Sequence, residues 1–165
     1  MNTSKRKIEI RLLKVQEISF YVDSSLYAEK ESIKANNLNI SFGLRLRPNI
    51  QHNILELYLV VVYKVNENEE RKILEIESLN TFRIKNIKDL LKINEDSIED
   101  ISGIIPTLVG VAVGTIRGML VNKTTGTPLD KYPLPMVNPE TLCENILRKQ
   151  RTKREHNKKQ IEEKL

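Results

Sequence analysis

Few residues in this 165-residue chain are able to carry covalent chemistry. Cys143 is the sole cysteine, which excludes an internal disulfide and a thiolate metal cluster. The two histidines, His52 and His156, fall in a predicted turn and near the C-terminal end, and neither lies within sequence reach of Cys143. Because a cysteine nucleophile needs a neighbouring base or cation, Cys143 is predicted to be a packing residue of a helix.

The acidic residues likewise do not predict a catalytic or metal site. Glu75 and Glu77 are two apart on a predicted strand, so both carboxylates lie on one face, and a solvated or edge face is favoured there over an acid/base pair. The segment Lys123–Pro128, KTTGTP, lacks the glycine-lysine ending of a phosphate-binding loop. No acidic cluster has the spacing of a metal site. The sequence therefore predicts a protein that is not an enzyme and holds no cofactor or metal.

The positive charge is confined to the C-terminal end. The formal net charge is +5, and residues 148–165 account for all of it, with eight of the 27 basic and three of the 22 acidic residues. We therefore expect one domain over residues 1–147 and a basic, flexible tail over residues 148–165. Such a tail either keeps the protein dissolved or binds an anionic surface such as nucleic acid by counterion release.

Four long segments show the pattern of strands. The segment Leu38–Arg47 alternates cleanly between apolar and polar residues, and 8–23 alternates in two blocks with a break in parity near Lys14 that predicts a bulge. The other two predicted strands are Ile54–Val65 and Lys72–Ile84. The third segment is apolar on both parities, which predicts a central strand covered on both faces. The short connections predict an antiparallel meander, in which Pro48 ends the second strand and residues 24–37 form a loop.

Two helices are predicted in the second half of the chain. Ile104–Val121 is apolar, and its glycines Gly110, Gly114 and Gly118 are four residues apart, so they lie on one stripe. Glycines in a helix interior require close approach of a flat partner, either a sheet or a second copy of the helix. A membrane span is the alternative, which the mid-segment Arg117 and the early Pro106 disfavour.

The second helix is marked by its cap. Asn138 stands at the cap position with Pro139 at the first helical position, and Leu142 and Ile146 form an apolar stripe. Before it, the three prolines of Thr127–Val137 predict an extended, irregular connector. Residues 85–102 are charged but carry scattered aliphatic side chains, which predicts a crossing loop with a short helix.

Four of these segments together resemble the SecB family of protein-export chaperones. Glu17–Phe20, EISF, is similar to the acidic-hydrophobic-Ser-Phe signature of that family's first strand, and Glu75-Ile76 followed by Phe82 resembles its fourth strand. The run from Pro106 to Leu120–Lys123 is similar to its first long helix. The second-helix segment is matched by Pro135, Val137, Asn138 and Leu142.

The resemblance implies an α+β fold with a four-stranded antiparallel β-meander followed by two α-helices. It further implies a homotetramer, a dimer of dimers, in which the first helices lie between sheets and Gly110, Gly114 and Gly118 serve oligomerisation. The implied activity is ATP-independent holding of unfolded polypeptides in apolar grooves. The residues expected to line the client groove are Phe42, Leu44, Leu46, Leu90, Leu91, Ile93, Leu142 and Ile146.

The implied partners are unfolded clients, either preproteins for export or an antitoxin, and the motor SecA. Candidate motor-docking residues are Glu17 and Glu75, but Tyr21 stands where a second carboxylate is expected, Pro139 replaces a phenylalanine, and the body is neutral rather than acidic. Export and antitoxin protection both stay open. The charged start MNTSKRK is unlike a signal peptide and predicts a cytoplasmic protein without membrane insertion. The alternative function is a nucleic-acid-associated or regulatory protein acting through the basic tail.

Overall fold

The computed structural model describes residues 8–28, 33–66, 70–94 and 97–146. The elements, in chain order, are β1 (Ile10–Val22), α1 (Ser25–Ala28), β2 (Leu38–Asn49), β3 (Ile54–Asn66), β4 (Glu70–Ile84), α2 (Ile87–Leu90), β5 (Leu91–Ile93), β6 (Ile98–Asp100), α3 (Ile104–Thr124) and α4 (residues 139–146). The predicted domain boundary at residue 147 and the tail lie outside the described residues.

The main sheet is four-stranded and antiparallel, in the order β1-β4-β3-β2, so the predicted α+β class is confirmed. The meander extends over β2, β3 and β4, which follow one another through short turns. β1 pairs with β4 instead of β2, because residues 23–37 between β1 and β2 are numerous enough to cross the sheet. The result is a Greek-key order with β1 and β2 at the two edges.

Two bulges interrupt the pairing of β1. The register skips Leu13, at the position where the sequence predicts a bulge, and skips again at Ile18, which the sequence does not reveal. A third irregularity lies in β4, where Ile73 has no partner between Tyr63 and Lys64 of β3. Each extra residue bends and twists its strand locally. β1 and β4 are therefore bent locally at these positions.

The helices cover one face of the sheet. On β3 the buried side chains alternate with half-buried ones; the buried set is Leu55, Leu57, Leu59, Val61, Tyr63 and Val65. The other parity includes Val60 and Val62, which are only half-buried. The prediction of a third strand covered on both faces is therefore wrong for the single chain. Apolar residues on both parities do not by themselves imply two cover layers.

α3 is the central helix of the core. Its buried stripe, which includes Leu108, Val109, Ala112 and Ile116, packs against β3 and β4. By length and composition this helix is able to cross a membrane, but a buried core helix meets the same criteria. The Asp100 carboxylate caps its first turn, since Oδ2 accepts a hydrogen bond from the N–H of Ile105 at 2.7 Å.

Three connections differ from their predictions. Residues 24–37 contain α1, whose Leu26 is buried in the core, and a 3-10 turn at Ala35–Asn37. The crossing loop holds the predicted short helix α2 and, in addition, the β5–β6 hairpin. The proline-rich connector forms a 3-10 turn at Pro128–Lys131 instead of being extended throughout. Pro128 initiates that turn because its fixed φ suits the first position.

Pro48 does not end β2, which continues to Asn49. β2 is an edge strand, and an edge strand tolerates proline because one side of its backbone makes no ladder hydrogen bonds. The turn that follows reaches positive φ at Asn53. Asn53 Oδ1 then accepts a hydrogen bond from the N–H of Ile87 at 3.3 Å, which fixes α2 at the β2–β3 end of the sheet.

Candidate functional site

The edge strand β2 presents a row of apolar side chains toward the helices. Leu44 is 5% exposed and belongs to the core, whereas Phe42 and Leu46 pack against the core and are half-buried. Among the described residues, β2 has a strand partner on one side only. This edge therefore presents partly accessible apolar side chains.

The crossing segment adds a second set of accessible apolar side chains. Leu91 is buried, Leu90 and Ile98 are half-buried against the core, and Ile93 is 37% exposed. Ile101, just after the hairpin, is 61% exposed. Its N–H donates to the carbonyl of Leu90 at 3.0 Å, so these residues are held close to α2.

α4 supplies the third element. Asn138 Oδ1 accepts hydrogen bonds from the N–H groups of Glu140 at 2.9 Å and Thr141 at 3.2 Å, which confirms the predicted cap. Pro139 lies against α3, since a Cβ on Gly110 would be 3.3 Å from its Cγ. Ile146 faces the core and Leu142 is half-buried at its border.

The eight predicted client residues thus fall into two groups. Leu44, Leu91 and Ile146 are core residues with little accessible surface, so in this conformation they are not available to contact a client. The other five residues are half-buried or exposed: Phe42, Leu46, Leu90, Ile93 and Leu142. We call these five residues the apolar border, and their contact with a client stays a prediction. Met136, 87% exposed in the connector, is an addition that the sequence did not single out.

Arg117 anchors the connector between α3 and α4. Its Nε donates to the carbonyl of Leu134 at 3.1 Å, and its terminal nitrogen donates to that of Pro135 at 2.9 Å. Tyr63 from β3 donates to the carbonyl of Tyr132 at 3.4 Å. The sequence indicates Arg117 only as a charge in an apolar run. Because proline has no N–H, the connector has few amide donors for its own carbonyls, and the Arg117 side chain donates to two of them instead.

The titration of two buried groups argues against nucleophilic chemistry there. Burial raises the pKa of the Cys143 thiol to about 11, and the nearby carboxylates of Asp100 and Glu144 act in the same direction. The thiol is therefore protonated at neutral pH, in agreement with its predicted packing role. Burial likewise raises the pKa of the Tyr63 phenol to about 12. Within the described residues no group of three His, Cys, Asp or Glu side chains is placed to hold a metal ion.

The glycine stripe of α3 is only partly occupied. Gly110 meets Pro139 of its own chain, while nothing in the described chain lies within 4 Å of a Cβ on Gly114 or Gly118. Val111 and Val121 on the same helix are 40% and 55% exposed. The sheet contacts other residues of α3. The close partner predicted for the stripe is therefore supplied, within one chain, at Gly110 alone.

The candidate motor-docking residues lie on opposite faces of the sheet. Glu17 is opposite Ser78 of β4, on the helix side, where Lys123 Nζ lies 2.9 Å from its Oε2. Glu75 is three residues from Ser78 along β4, so it points to the other face, where it pairs with Lys72 at 3.2 Å. Glu77 shares that face with Glu75, as predicted, and lies 3.5 Å from Arg45. Glu17, Glu75 and Glu77 therefore each form an ion pair with a cation of the same chain.

No protein-family model matches the sequence, and no curated protein matches it. Among solved structures, the chain is similar to a SecB-like chaperone of Mycobacterium tuberculosis in complex with a peptide from an antitoxin, with a TM-score of 0.41 and 14% identity over 79% of this chain and 88% of that one. It is also similar to a protein of unknown function from Streptococcus agalactiae, with a TM-score of 0.39 and 12% identity over 79% of this chain and 98% of that one.

Proposed function

We propose that this protein is an ATP-independent chaperone that holds unfolded polypeptides on the apolar border. The observation that supports the proposal is that three separate elements, β2, the crossing segment and α4, each leave apolar side chains half-buried or exposed around one core. Scattered exposed aliphatic residues are ordinary, whereas a contiguous set of them is typical of an interaction surface, and we propose that the apolar border forms such a set.

The chemistry of the border suits an extended chain. Each buried methylene of a client contributes about 0.8 kcal/mol, and many such weak contacts along one chain add together. Contact between aliphatic side chains does not depend on a particular client sequence, so the border is able to bind many unfolded segments, and this binding does not require ATP.

The assembly belongs to the same proposal. We place the interface of a homotetramer, a dimer of dimers, on the open face of α3, at Gly114 and Gly118 with Val111 and Val121 beside them. The support is that this face is exposed, apolar and lined by glycines with no neighbour in the described chain. Two helix backbones approach closely where side chains are absent.

The clients and the cellular setting are also proposed. An unfolded preprotein and an aggregation-prone antitoxin both present extended aliphatic chain, and a cytoplasmic location fits either. The separation of Glu17 and Glu75 onto opposite faces leaves no shared acidic surface for SecA, so we propose client holding without motor docking at these residues.

The test is suppression of aggregation of a reduced, unfolded protein by the purified chain. We expect the variant Phe42→Ser, Leu46→Ser, Leu142→Ser to lose suppression while its circular dichroism is retained. The matched control, Tyr27→Ser with Ile50→Ser, removes exposed apolar side chains elsewhere and should act as the wild type does. Equal activity of the border variant and the wild type contradicts the proposal. Removal of residues after Gln150 should leave suppression intact, whereas a nucleic-acid binder acting through its tail would lose salt-sensitive binding.

A further inference from the structure

The face of the sheet opposite the helices carries an unusual group of cations at one corner. Arg11 and Lys14 on β1 and Arg83 on β4 all lie on this face and are exposed. Arg11 and Arg83 are directly opposite each other in the ladder, and Lys14 is opposite Thr81. We call Arg11, Lys14 and Arg83 the basic corner. It lies at the end of the sheet where β2 turns into β3.

Like charges directly opposite on neighbouring strands repel, because their side chains project from the same face about 5 Å apart. Three other cations of this face pair with carboxylates, namely Arg45 with Glu77, Lys64 with Glu70 and Lys72 with Glu75, and Arg47 lies directly opposite Glu56 in the ladder. Glu9, next to the corner, is taken by Lys85 at 3.3 Å. Within the described residues, the three corner cations form no ion pair, so their charge is available to a partner from outside the chain.

Apolar side chains surround the corner. Ile54 is half-buried opposite Arg83, Ile50 in the adjoining turn is 36% exposed, and the bulge residue Leu13 is 40% exposed. A partner on this corner therefore meets both positive charge and aliphatic surface. Arginine holds a carboxylate through two parallel hydrogen bonds, and the aliphatic side chains add contact area beside it.

We propose that the basic corner docks an acidic polypeptide segment in which Asp or Glu alternates with aliphatic residues. This site lies on the face away from the helices, so it is separate from the apolar border, and client and acidic partner are able to bind together. Charge complementarity identifies the partner: three cations that form no ion pair with the described residues fit carboxylates, and the apolar surroundings fit a peptide better than a bare anion.

The same face disfavours single-stranded nucleic acid. Base recognition without sequence preference uses exposed aromatic rings, but here the Arg45 guanidinium lies 3.8 Å from the Tyr58 ring centroid and Lys72 Nζ lies 4.9 Å from that of Tyr21. Both rings are thus partly covered by cations of the same chain.

The experiment measures fluorescence anisotropy of a fluorescein-labelled peptide of alternating Glu and Leu with the full chain. The variant Arg11→Ser, Lys14→Ser, Arg83→Ser should raise Kd at least about tenfold and reduce its salt dependence. The matched control Lys88→Ser, Lys92→Ser, Lys131→Ser removes the same charge from exposed positions elsewhere and should change Kd less than about twofold. Equal losses in both variants would show a net-charge effect and overturn the proposal.

Further measurements test the chemical class of the partner and separate a loss of binding from a loss of folding. A peptide with Gln in place of Glu should not bind the corner, and single-stranded RNA should bind more weakly than the acidic peptide; tighter RNA binding through the same three cations overturns the proposal. Arg11→Thr alone should weaken peptide binding while raising Tm, because it removes the like-charge pair, so lost binding is not lost folding. Aggregation suppression by the corner variant should equal that of the wild type, which keeps this test independent of the chaperone proposal.

Discussion

Glu17 and Lys123, which are 106 residues apart in the sequence, form an ion pair that joins β1 to the last turn of α3. Lys123 Nζ lies 2.9 Å from Glu17 Oε2 and 4.3 Å from the ring centroid of Phe20. The opposite end of α3 is held by the Asp100 carboxylate. The central helix is therefore fixed over the sheet at both ends by charged groups, and packing fixes it between them.

Glu17→Gln should lower the free energy of unfolding by about 0.5–1 kcal/mol, because the two side chains are only 36% and 28% exposed and the cation also contacts an aromatic ring. Urea denaturation at low and high salt measures it. The control is Glu9→Gln, whose pair with Lys85 is 68% exposed on both sides and should contribute less than about 0.3 kcal/mol. An equal loss in the two variants would mean that the Glu17 pair has no special role.

The glycines of α3 should separate an intramolecular contact from an intermolecular one. Gly114→Leu with Gly118→Leu should lower the mass of the assembly in sedimentation velocity while circular dichroism is retained, because nothing within the chain occupies these positions. Gly110→Ala should leave the mass unchanged, because its Cβ would meet Pro139 of the same chain at 3.3 Å and not a second copy. A mass that the double variant does not change would contradict the proposed interface.

Periodicity predicts the elements of this fold but not all of their neighbours. The alternation from Leu38 to Arg47 predicts a half-exposed strand, the parity break near Lys14 predicts a bulge, and Asn138 followed by Pro139 predicts the start of α4. Strand order is not predicted in this way, because the parity of a residue specifies its face of the sheet and not the neighbouring strand. The sequence pattern therefore does not predict the pairing of β1 with β4.

In the candidate site, too, the sequence predicts the element and face of a residue but not its exposure or its distant contacts. Phe42 and Leu44 share a parity and an element, yet only Leu44 is a core residue, because exposure depends on which distant segments cover each position. The carbonyls that Arg117 binds belong to a connector 17 and 18 residues away. No local pattern encodes such contacts. Charge contacts are easier to deduce, because the repulsion between Arg11 and Arg83 follows from the residue types once the strand register is known.

The buried pair Ser78 and Asn80 lies between the sheet and α3, and Asn80 Oδ1 has no hydrogen-bond partner in the described structure. Asn80 Nδ2 donates to Ser78 Oγ at 3.2 Å. Ser78→Ala with Asn80→Leu should raise the free energy of unfolding by about 1–2 kcal/mol, because an unsatisfied buried carbonyl is replaced by apolar surface of similar volume. Chemical denaturation measures it. Asn80→Ala, which leaves a cavity, is the control and should lower stability; a less stable double variant would contradict the prediction.

Cys143 should make the protein less stable in alkali. The pKa of its thiol is raised by burial from 9.0 to about 11, so between these values the unfolded chain loses a proton that the folded chain retains. Stability is therefore complete below pH 9 and falls as the pH rises toward 11. Cys143→Ala should flatten this part of the profile in urea titrations. Iodoacetamide should also modify the folded wild type at pH 8 much more slowly than the urea-unfolded chain, and equal rates would contradict the burial of the thiol.

Arg117 should control the order of the connector between α3 and α4. Arg117→Met keeps the aliphatic stem but removes the donors to the carbonyls of Leu134 and Pro135, and should cost about 1–2 kcal/mol of unfolding free energy. Hydrogen exchange should accelerate at the amides of Leu134, Met136 and Val137. The control is Lys131→Met, an exposed cation in the same connector, which should change neither quantity.

A second substitution separates charge from geometry. Arg117→Lys keeps the positive charge, but a single ammonium does not reproduce the two directed hydrogen bonds of the guanidinium, so exchange should still accelerate, to an intermediate degree. Because the connector leads directly into the Asn138 cap of α4, loosening it should also shift Leu142 relative to β2 and reduce aggregation suppression. If Arg117→Lys restores wild-type exchange, charge alone holds the connector; if Arg117→Met leaves exchange unchanged, Arg117 is not the anchor.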